Sequence, residues 1–425
     1  MGWLLYSGLM SSLGSPVTVI GAGIVGLSCA RWLQRGGHDV TIIDPVAPGE
    51  SCSFGNAGII STSSAVPLAM PGTIFKVPGW MMDPKGPLVV RWSYMLRAMP
   101  WLLRLLAASQ RSRIPAIVKA LGEINAPALD AYRELLEPAD FADLIRLDGS
   151  INAYESVAAL EADSDIWDLR KQRGGQFERV EGDALRELEP ALNPAIPCAI
   201  FVKDTAHAVN PLRVVKTLAD RFLSDGGDIV ESRVSHIDCG DQGPRLLHLD
   251  NGAERPVETL VIAAGAWSHR LSGPLGSTPP LEAERGYHVT IAEAGLTLLR
   301  PVSLASRGFY ATPMELGLRI AGTVEFAGVD APPNYQRADI LLDHGRFLLP
   351  GLRDGGVSRW MGCRPSFPDS LPVISSSPHY EKLYYAFGHG HLGLTEGAIT
   401  GKLIAELIDG RPTSIDVDPY RIDRF

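Results

Sequence analysis

Residues Val17–Asp44 read VTVIGAGIVGLSCARWLQRGGHDVTIID, and no other stretch restricts the fold of this chain as tightly. A β-branched run, Val17–Ile20, leads into Gly21, Gly23 and Gly26, which carry the full G-x-G-x-x-G spacing. An amphipathic segment follows to Arg35, then a Gly36-Gly37 stop, a second apolar run and an acid at Asp44. This is the pattern of a βαβ unit that holds a dinucleotide. Gly21 permits the tight turn, Gly23 lets the backbone approach a pyrophosphate, and Gly26 lets helix and strand pack closely. Ile24 and Val25 open the helix, whose free N–H groups face the anion. Asp44 can accept hydrogen bonds from a ribose hydroxyl. The fingerprint leaves the choice between FAD and NAD open.

A chain of 425 residues has room for two domains and a large core. Its formal net charge of −9, from 39 basic and 48 acidic residues, argues against a nucleic-acid partner, and it has no basic tract. The five cysteines are scattered without a C-x-x-C pair, which fits reduced thiols in a cytoplasmic protein and no metal site. The apolar start, residues 1–15, lacks a basic region and reads as an extension rather than a secretory signal. No uninterrupted apolar run reaches the roughly 18 residues that a spanning helix needs. Val89–Ala108 is rich in Leu, Met and Trp with Arg91, Arg97 and Arg104 interspersed. It fits a helix packed on its own protein, with the Arg heads reaching water along their stems. It also fits a peripheral contact with the inner face of a membrane. Pro100 is predicted to divide it into two pieces.

Beyond the first βαβ, Glu50–Ser64 is a long Gly/Ser-rich loop, a kind usually functional in a compact domain. Trp80 to about Arg173 is mostly helical in pattern, as in Ile114–Leu136. Strands are predicted at Ala199–Val202, Asp228–Val230, Ser232–Asp238, Arg245–Leu249 and Val257–Ile262. Tyr287–Ile291, Gly308–Thr312 and Leu318–Ala321 read as a separate antiparallel layer. Near the end, a strand at Leu383–Ala386 runs into a turn with Gly388, Gly390 and Gly393, then a helix over Leu394–Asp409. The start of that helix points a positive dipole end into the site.

Four motifs, GAGIVG at 21–26, SFGNAGIIS at 53–61, GCRPSFPDSLPVI at 362–374 and GHGHLGLT at 388–395, together resemble the D-amino acid oxidase superfamily. The bacterial D-amino acid dehydrogenase branch is the most similar, and the likeness runs from about Val17 to Gly410. It implies FAD as cofactor and an α/β fold: a Rossmann-like FAD-binding domain of the glutathione-reductase type, with an inserted α+β substrate domain on an antiparallel sheet. The expected divisions are 16–80, 190–275 and 355–425 for FAD, and 81–189 with 276–354 for substrate. The implied activity is oxidation of the Cα–N bond of an amino acid, of D configuration, by hydride transfer to flavin N5. The imine then hydrolyses to a 2-oxo acid and ammonia.

The resemblance also implies site residues. Gly21, Gly23, Gly26 and Asp44 would hold the ADP half, and Ser53, Asn56, Ala57, Gly58 and Ile60 would lie along the pyrophosphate and flavin. Val234 matches the position whose backbone meets the adenine, and Ala264, Gly265 and Trp267 would close over the cofactor. Gly362, Gly388, Gly390, His391, Leu392, Gly393, Leu394 and Thr395 would line the ring. Arg364 would present its planar fork to the substrate carboxylate, helped by the Tyr310 hydroxyl. Tyr287 and His288 fall where the branch has a Gly-Tyr pair, His288 being a departure that would tune specificity. His389 and His391 are candidate bases, although hydride transfer requires only a neutral amine. The implied partners are an amino acid and an electron acceptor: a quinone, a partner protein or oxygen. Alternative substrates are hydroxy-D-proline, D-proline or sarcosine, and an alternative role is a subunit of a heteromeric amine dehydrogenase.

Overall fold

The β-branched run at the start of the fingerprint becomes an inner strand of a six-stranded sheet. Its order is Asp228–Glu231, His38–Asp44, Gly14–Ile20, Thr259–Ile262, Leu383–Phe387 and Val373–Ser376. These positions come from a computed structural model that describes residues 14–72, 79 and 86–425. Successive pairs are parallel except the last, which is antiparallel. Val19, Ile42 and Val261 pair in register and are fully buried, as helices on both faces of a parallel sheet require. From Gly14–Ile20 the chain builds outward on one side through His38–Asp44 and on the other through Thr259–Ile262. A crevice therefore opens at the carboxyl ends of these central strands, beside Gly21 and Ala263.

The helix after the glycine turn, Ile24–Arg35, packs against the closing helix, Gly393–Ile408. Gly401 makes this crossing possible, since a Cβ there would sit 2.5 Å from the Ser28 carbonyl. Trp32 Nε1 donates to Ala398 O across the same seam at 3.0 Å.

A second, nine-stranded sheet carries the inserted residues. Its main path runs Gly355–Ser366, Glu282–Glu293, Gly317–Phe326, Phe309–Met314, Val302–Leu304, Ser150–Tyr154, Cys198–Val202 and Phe177–Glu181. Leu88–Val90 pairs with Gly317–Phe326 off this path. One face is covered by the helix Gln336–Leu348, whose Ala338 and Leu341 join Val289 and Ile320 in a buried cluster. The other face borders the crevice of the first sheet.

Several details differ from the sequence-based expectation. Gly355–Ser366, expected in the FAD segment, is an edge strand of the nine-stranded sheet, paired along its length with Glu282–Glu293. Cys198–Val202 likewise belongs to that sheet. The helical stretch Ile114–Leu136 forms two helices, Ile114–Asn125 and Ala128–Leu135, because Pro127 between them offers no N–H to continue the ladder. Pro100, by contrast, does not divide its segment, for Met95–Ala108 is one helix. The proline forfeits one backbone bond there, while buried Ala98 and Trp101 dock the helix against Val90 and Phe326. The expected extension at 1–15 lies outside the described residues except for Gly14 and Ser15, which begin the first strand. Among the described residues, no helix is long and apolar enough to cross a membrane.

Candidate active site

A cavity of about 1260 Å³ runs from the fingerprint turn to the face of the nine-stranded sheet. At one end Gly21 adopts φ +119°, and a Cβ there would approach the Ala263 carbonyl to 2.3 Å. A Cβ on Gly26 would collide with the Gly21 carbonyl at 1.9 Å, so strand, turn and helix close only around glycines. The Asp44 carboxylate braces this turn, accepting from Ala22 N at 2.7 Å and from Val46 N at 2.8 Å. Burial pushes its pKa up and those two N–H groups oppose the shift. Ser53 Oγ accepts from Ile24 N at 3.0 Å, tying the long loop to the helix start. Gly23, Val25, Asn56, Ala57, Val234, Ala264, Gly265 and Trp267 line the same cavity. The cavity and its glycine cradle thus fit a dinucleotide at this end.

Three expected cofactor residues stand behind the wall rather than in it. Gly26 is at the helix–turn contact, and Gly58 N is held by Asn56 Oδ1 at 2.8 Å. Ile60 is fully buried on a short strand paired with Thr205–Ala208.

At the other end stands Arg364. Its guanidinium lies over Gly286, where a Cβ would be 2.2 Å from Nη2. Nη1 donates to Thr323 O at 3.0 Å and Nη2 to Gly322 O at 3.4 Å. Burial pulls its pKa down while Glu284 holds it up. Two strands further across the sheet from Gly286 is Tyr310, next to Ser303, which is next to Asn152. All three line the cavity, and Ser303 Oγ donates to Asn152 Oδ1 at 2.7 Å. Burial raises the Tyr310 hydroxyl, with Arg170 and Ser303 opposing.

Arg364 and Tyr310 thus come together on the cavity wall, whereas Tyr287 and His288 do not join them. Tyr287 borders the cavity, but its hydroxyl donates to Glu325 Oε2 at 2.5 Å and accepts from Asn334 N at 3.0 Å. His288 lies outside the lining, stacked on Trp360 at 5.0 Å, with Nδ1 on the Gly55 carbonyl at 3.1 Å. That carbonyl can only accept, so Nδ1 carries the proton. Burial, with Arg319 nearby, pushes His288 down to about 3, so its ring is neutral.

The turn after Leu383–Phe387 supplies the remaining wall. Gly388, Gly390, Leu392, Gly393, Leu394 and Thr395 line the cavity ahead of the closing helix. Thr395 Oγ1 donates to Ile59 O at 3.3 Å, joining this turn to the long loop. His389 shares a hydrogen bond of 2.9 Å with Thr400 Oγ1. Burial pushes His389 down to about 3, and burial with Arg364 pushes His391 down to about 4. Both rings are neutral at pH 7 and too weakly basic to hold an ammonium proton. Cys52 also lines the cavity, and burial raises its thiol to about 12, leaving it protonated and unreactive.

Two lining residues carry no signal in the sequence. Glu284 is cross-strand from Arg364, 1% exposed, and has one carboxyl oxygen without a hydrogen-bond partner among the described residues. Burial raises it to about 7, with Arg364 pulling back. The second, Arg170, arrives from the inserted helix Ser164–Gln172.

Known proteins resemble this chain along nearly its whole length. A D-amino-acid oxidase of Bradyrhizobium diazoefficiens is 38% identical over 97% of this chain and 99% of its own length. A D-amino acid dehydrogenase of Paramagnetospirillum magneticum is 33% identical over 96% of this chain and 98% of its own. Among solved structures, glycine oxidase from Bacillus cereus superposes with a TM-score of 0.72 at 20% identity, covering 95% of this chain and 99% of the other. L-proline dehydrogenase from P. horikoshii gives 0.73 at 16% identity, covering 97% of each. Residues 16–407 match the FAD dependent oxidoreductase family, and the chain belongs to it.

Proposed function

We propose that the protein oxidises the Cα–N bond of a D-amino acid to an imine, which water converts to a 2-oxo acid and ammonia. The observation that carries this is Arg364: a guanidinium enclosed in the cavity wall, held by two carbonyls and, among the described residues, by no carboxylate within ion-pair distance. FAD, which Gly21, Gly23, Asp44 and Ser53 would hold at the far end of the cavity, would supply the two-electron acceptor for the Cα hydrogen. Arg364 binds the α-carboxylate as a planar fork and Tyr310 adds a hydroxyl donor. Held at two points, the substrate can keep its Cα within about 3–3.5 Å of the acceptor atom, which removes several kcal/mol of orientational cost. The N-terminus of Gly393–Ile408 directs its positive end into the cavity, where it would stabilise negative charge on a reduced acceptor. Leu102 and Leu105 of the helix Met95–Ala108, both partly buried, line the cavity and exclude water.

Anaerobic addition of D- and L-amino acids, with D-proline and sarcosine in the panel, tests this. Bleaching of the yellow protein by D-amino acids alone is the expected result. A colourless protein that consumes NAD overturns it.

The same helix, with the turn Trp92–Tyr94 that precedes it, supports a lipid-facing surface for electron exit. Trp92 is 86% exposed and Leu96 87%, and Leu103 and Leu106 of the same apolar stripe are also exposed. Arg97 and Arg104 accompany them, and no acid occurs between Val89 and Arg113. An apolar stripe with basic residues and no acids matches an anionic bilayer surface. There a membrane quinone would be the acceptor.

A further inference from the structure

The cavity contains a second guanidinium that amine oxidation does not use. Arg170 lies 4.7 Å over the Trp167 ring, and its Nε and Nη2 donate to Ser63 O at 3.2 Å and Ser63 Oγ at 3.0 Å. These contacts fix the plane of the fork without neutralising it. No described carboxylate is ion-paired with Arg170. Asp204 is bridged to it by the Ser63 hydroxyl, which donates to Asp204 Oδ1 at 3.2 Å, and acts on it by charge without pairing. Arg170 Nη1 has no hydrogen-bond partner among the described residues. Burial pulls its pKa down, while Tyr310, Asp204 and Tyr154 hold it up.

Its surroundings are polar and preorganised. Asn152, Ser303 and Tyr310 sit side by side on adjacent strands of the cavity face. Tyr310 lies between the strand whose carbonyls hold Arg364 and the end where Arg170 enters. A cavity with a guanidinium at each end of such a row offers two anion contacts, and a monocarboxylic substrate fills only one.

We propose that Arg170, with Asn152 and Ser303, forms a subsite for a second carboxylate, so that the preferred substrates are dicarboxylic amino acids. The α-carboxylate is taken by Arg364 and the distal carboxylate by Arg170, an assignment that rests on the Arg364 role proposed above. Planar fork matches planar carboxylate, and the enclosed setting makes the charge-assisted bonds strong.

The test begins with binding to the flavin-loaded wild-type protein, read from the flavin spectrum or from thermal unfolding. Succinate is expected to bind at least tenfold more tightly than butyrate, which has the same number of carbons and one carboxylate. Equal affinities overturn the subsite without any variant having to fold. In turnover, Arg170→Leu is expected to lower the ratio of kcat/KM for D-aspartate or D-glutamate to that for D-alanine by at least 100-fold, with Arg170→Lys restoring part of it. An unchanged ratio also overturns the subsite. A protein that prefers succinate yet oxidises no amino acid retains the subsite and loses the proposed oxidation. One that oxidises D-amino acids yet binds both acids alike does the reverse.

Discussion

Glu284 and Arg364 stand opposite each other on neighbouring antiparallel strands, both facing the cavity, and they are not ion-paired. Each stabilises the charged form of the other across that gap. The state of Glu284 therefore sets how much of the Arg364 charge is free for a ligand.

Glu284, raised by burial to about 7, is neutral at lower pH, leaving the Arg364 charge undivided. Above that pH its carboxylate competes with an incoming one. The affinity of butyrate for the flavin-loaded protein is expected to fall as pH rises through about 7, and Glu284→Gln to flatten the profile. A wild-type affinity that stays constant over this range would remove Glu284 from the site. The same shift bears on folding. A carboxyl raised from 4.5 to about 7 binds its proton more tightly in the folded state, so its contribution is present at low pH and is lost as pH climbs between those values. Denaturant unfolding at several pH values should show that slope, reduced in Glu284→Gln.

Arg364→Ala is expected to retain FAD, because the dinucleotide cradle lies at the other end of the cavity, and to lose substrate reduction by at least two orders of magnitude. Removing one partner of a buried charged hydrogen-bonded pair costs about 2–5 kcal/mol. Anaerobic stopped-flow reduction measures the loss, and near-normal kinetics would refute the assignment.

Gly401→Ala forces a methyl group into the Ser28 backbone. The two helices must separate, at a cost on the order of 1–3 kcal/mol. Thermal unfolding should show this, with weaker FAD retention. Gly240→Ala is the control, because nothing lies within 4 Å of its Cβ position.

Trp92→Ser combined with Leu96→Glu should abolish co-sedimentation with vesicles containing anionic lipid and leave the unfolding temperature nearly unchanged, since both side chains are almost wholly exposed. If wild type and variant sediment alike, the lipid-facing surface is refuted.

The fingerprint was readable because a turn this tight admits almost nothing but glycine at Gly21 and Gly26, so its geometry is written as residue identity. Arg364 was readable as a motif, yet its strand was not. Gly355, Gly356, Gly362 and Pro365 suppress any alternating pattern, and pairing with Glu282–Glu293 makes the strand. Tyr287 and His288 show a different loss of information. Adjacent strand residues face opposite sides of a sheet, and no local signal says which side holds the cavity. Arg170, in the polar helix SDIWDLRKQ, and Glu284, in LEAERGY, look like ordinary surface charges until tertiary packing turns them inward.

The seam between Ile24–Arg35 and Gly393–Ile408 joins segments far apart in the chain, Trp32 and Ala398 being 366 residues distant. The glycine turns that open these two helices both border the cavity. A dinucleotide lying across them acts as a clasp, and a ligand that binds only the closed form adds its binding energy to the closing of the whole chain. Loss of the cofactor and parting of the first and last helices are then one cooperative event, and the protein without FAD is expected to open along this line first.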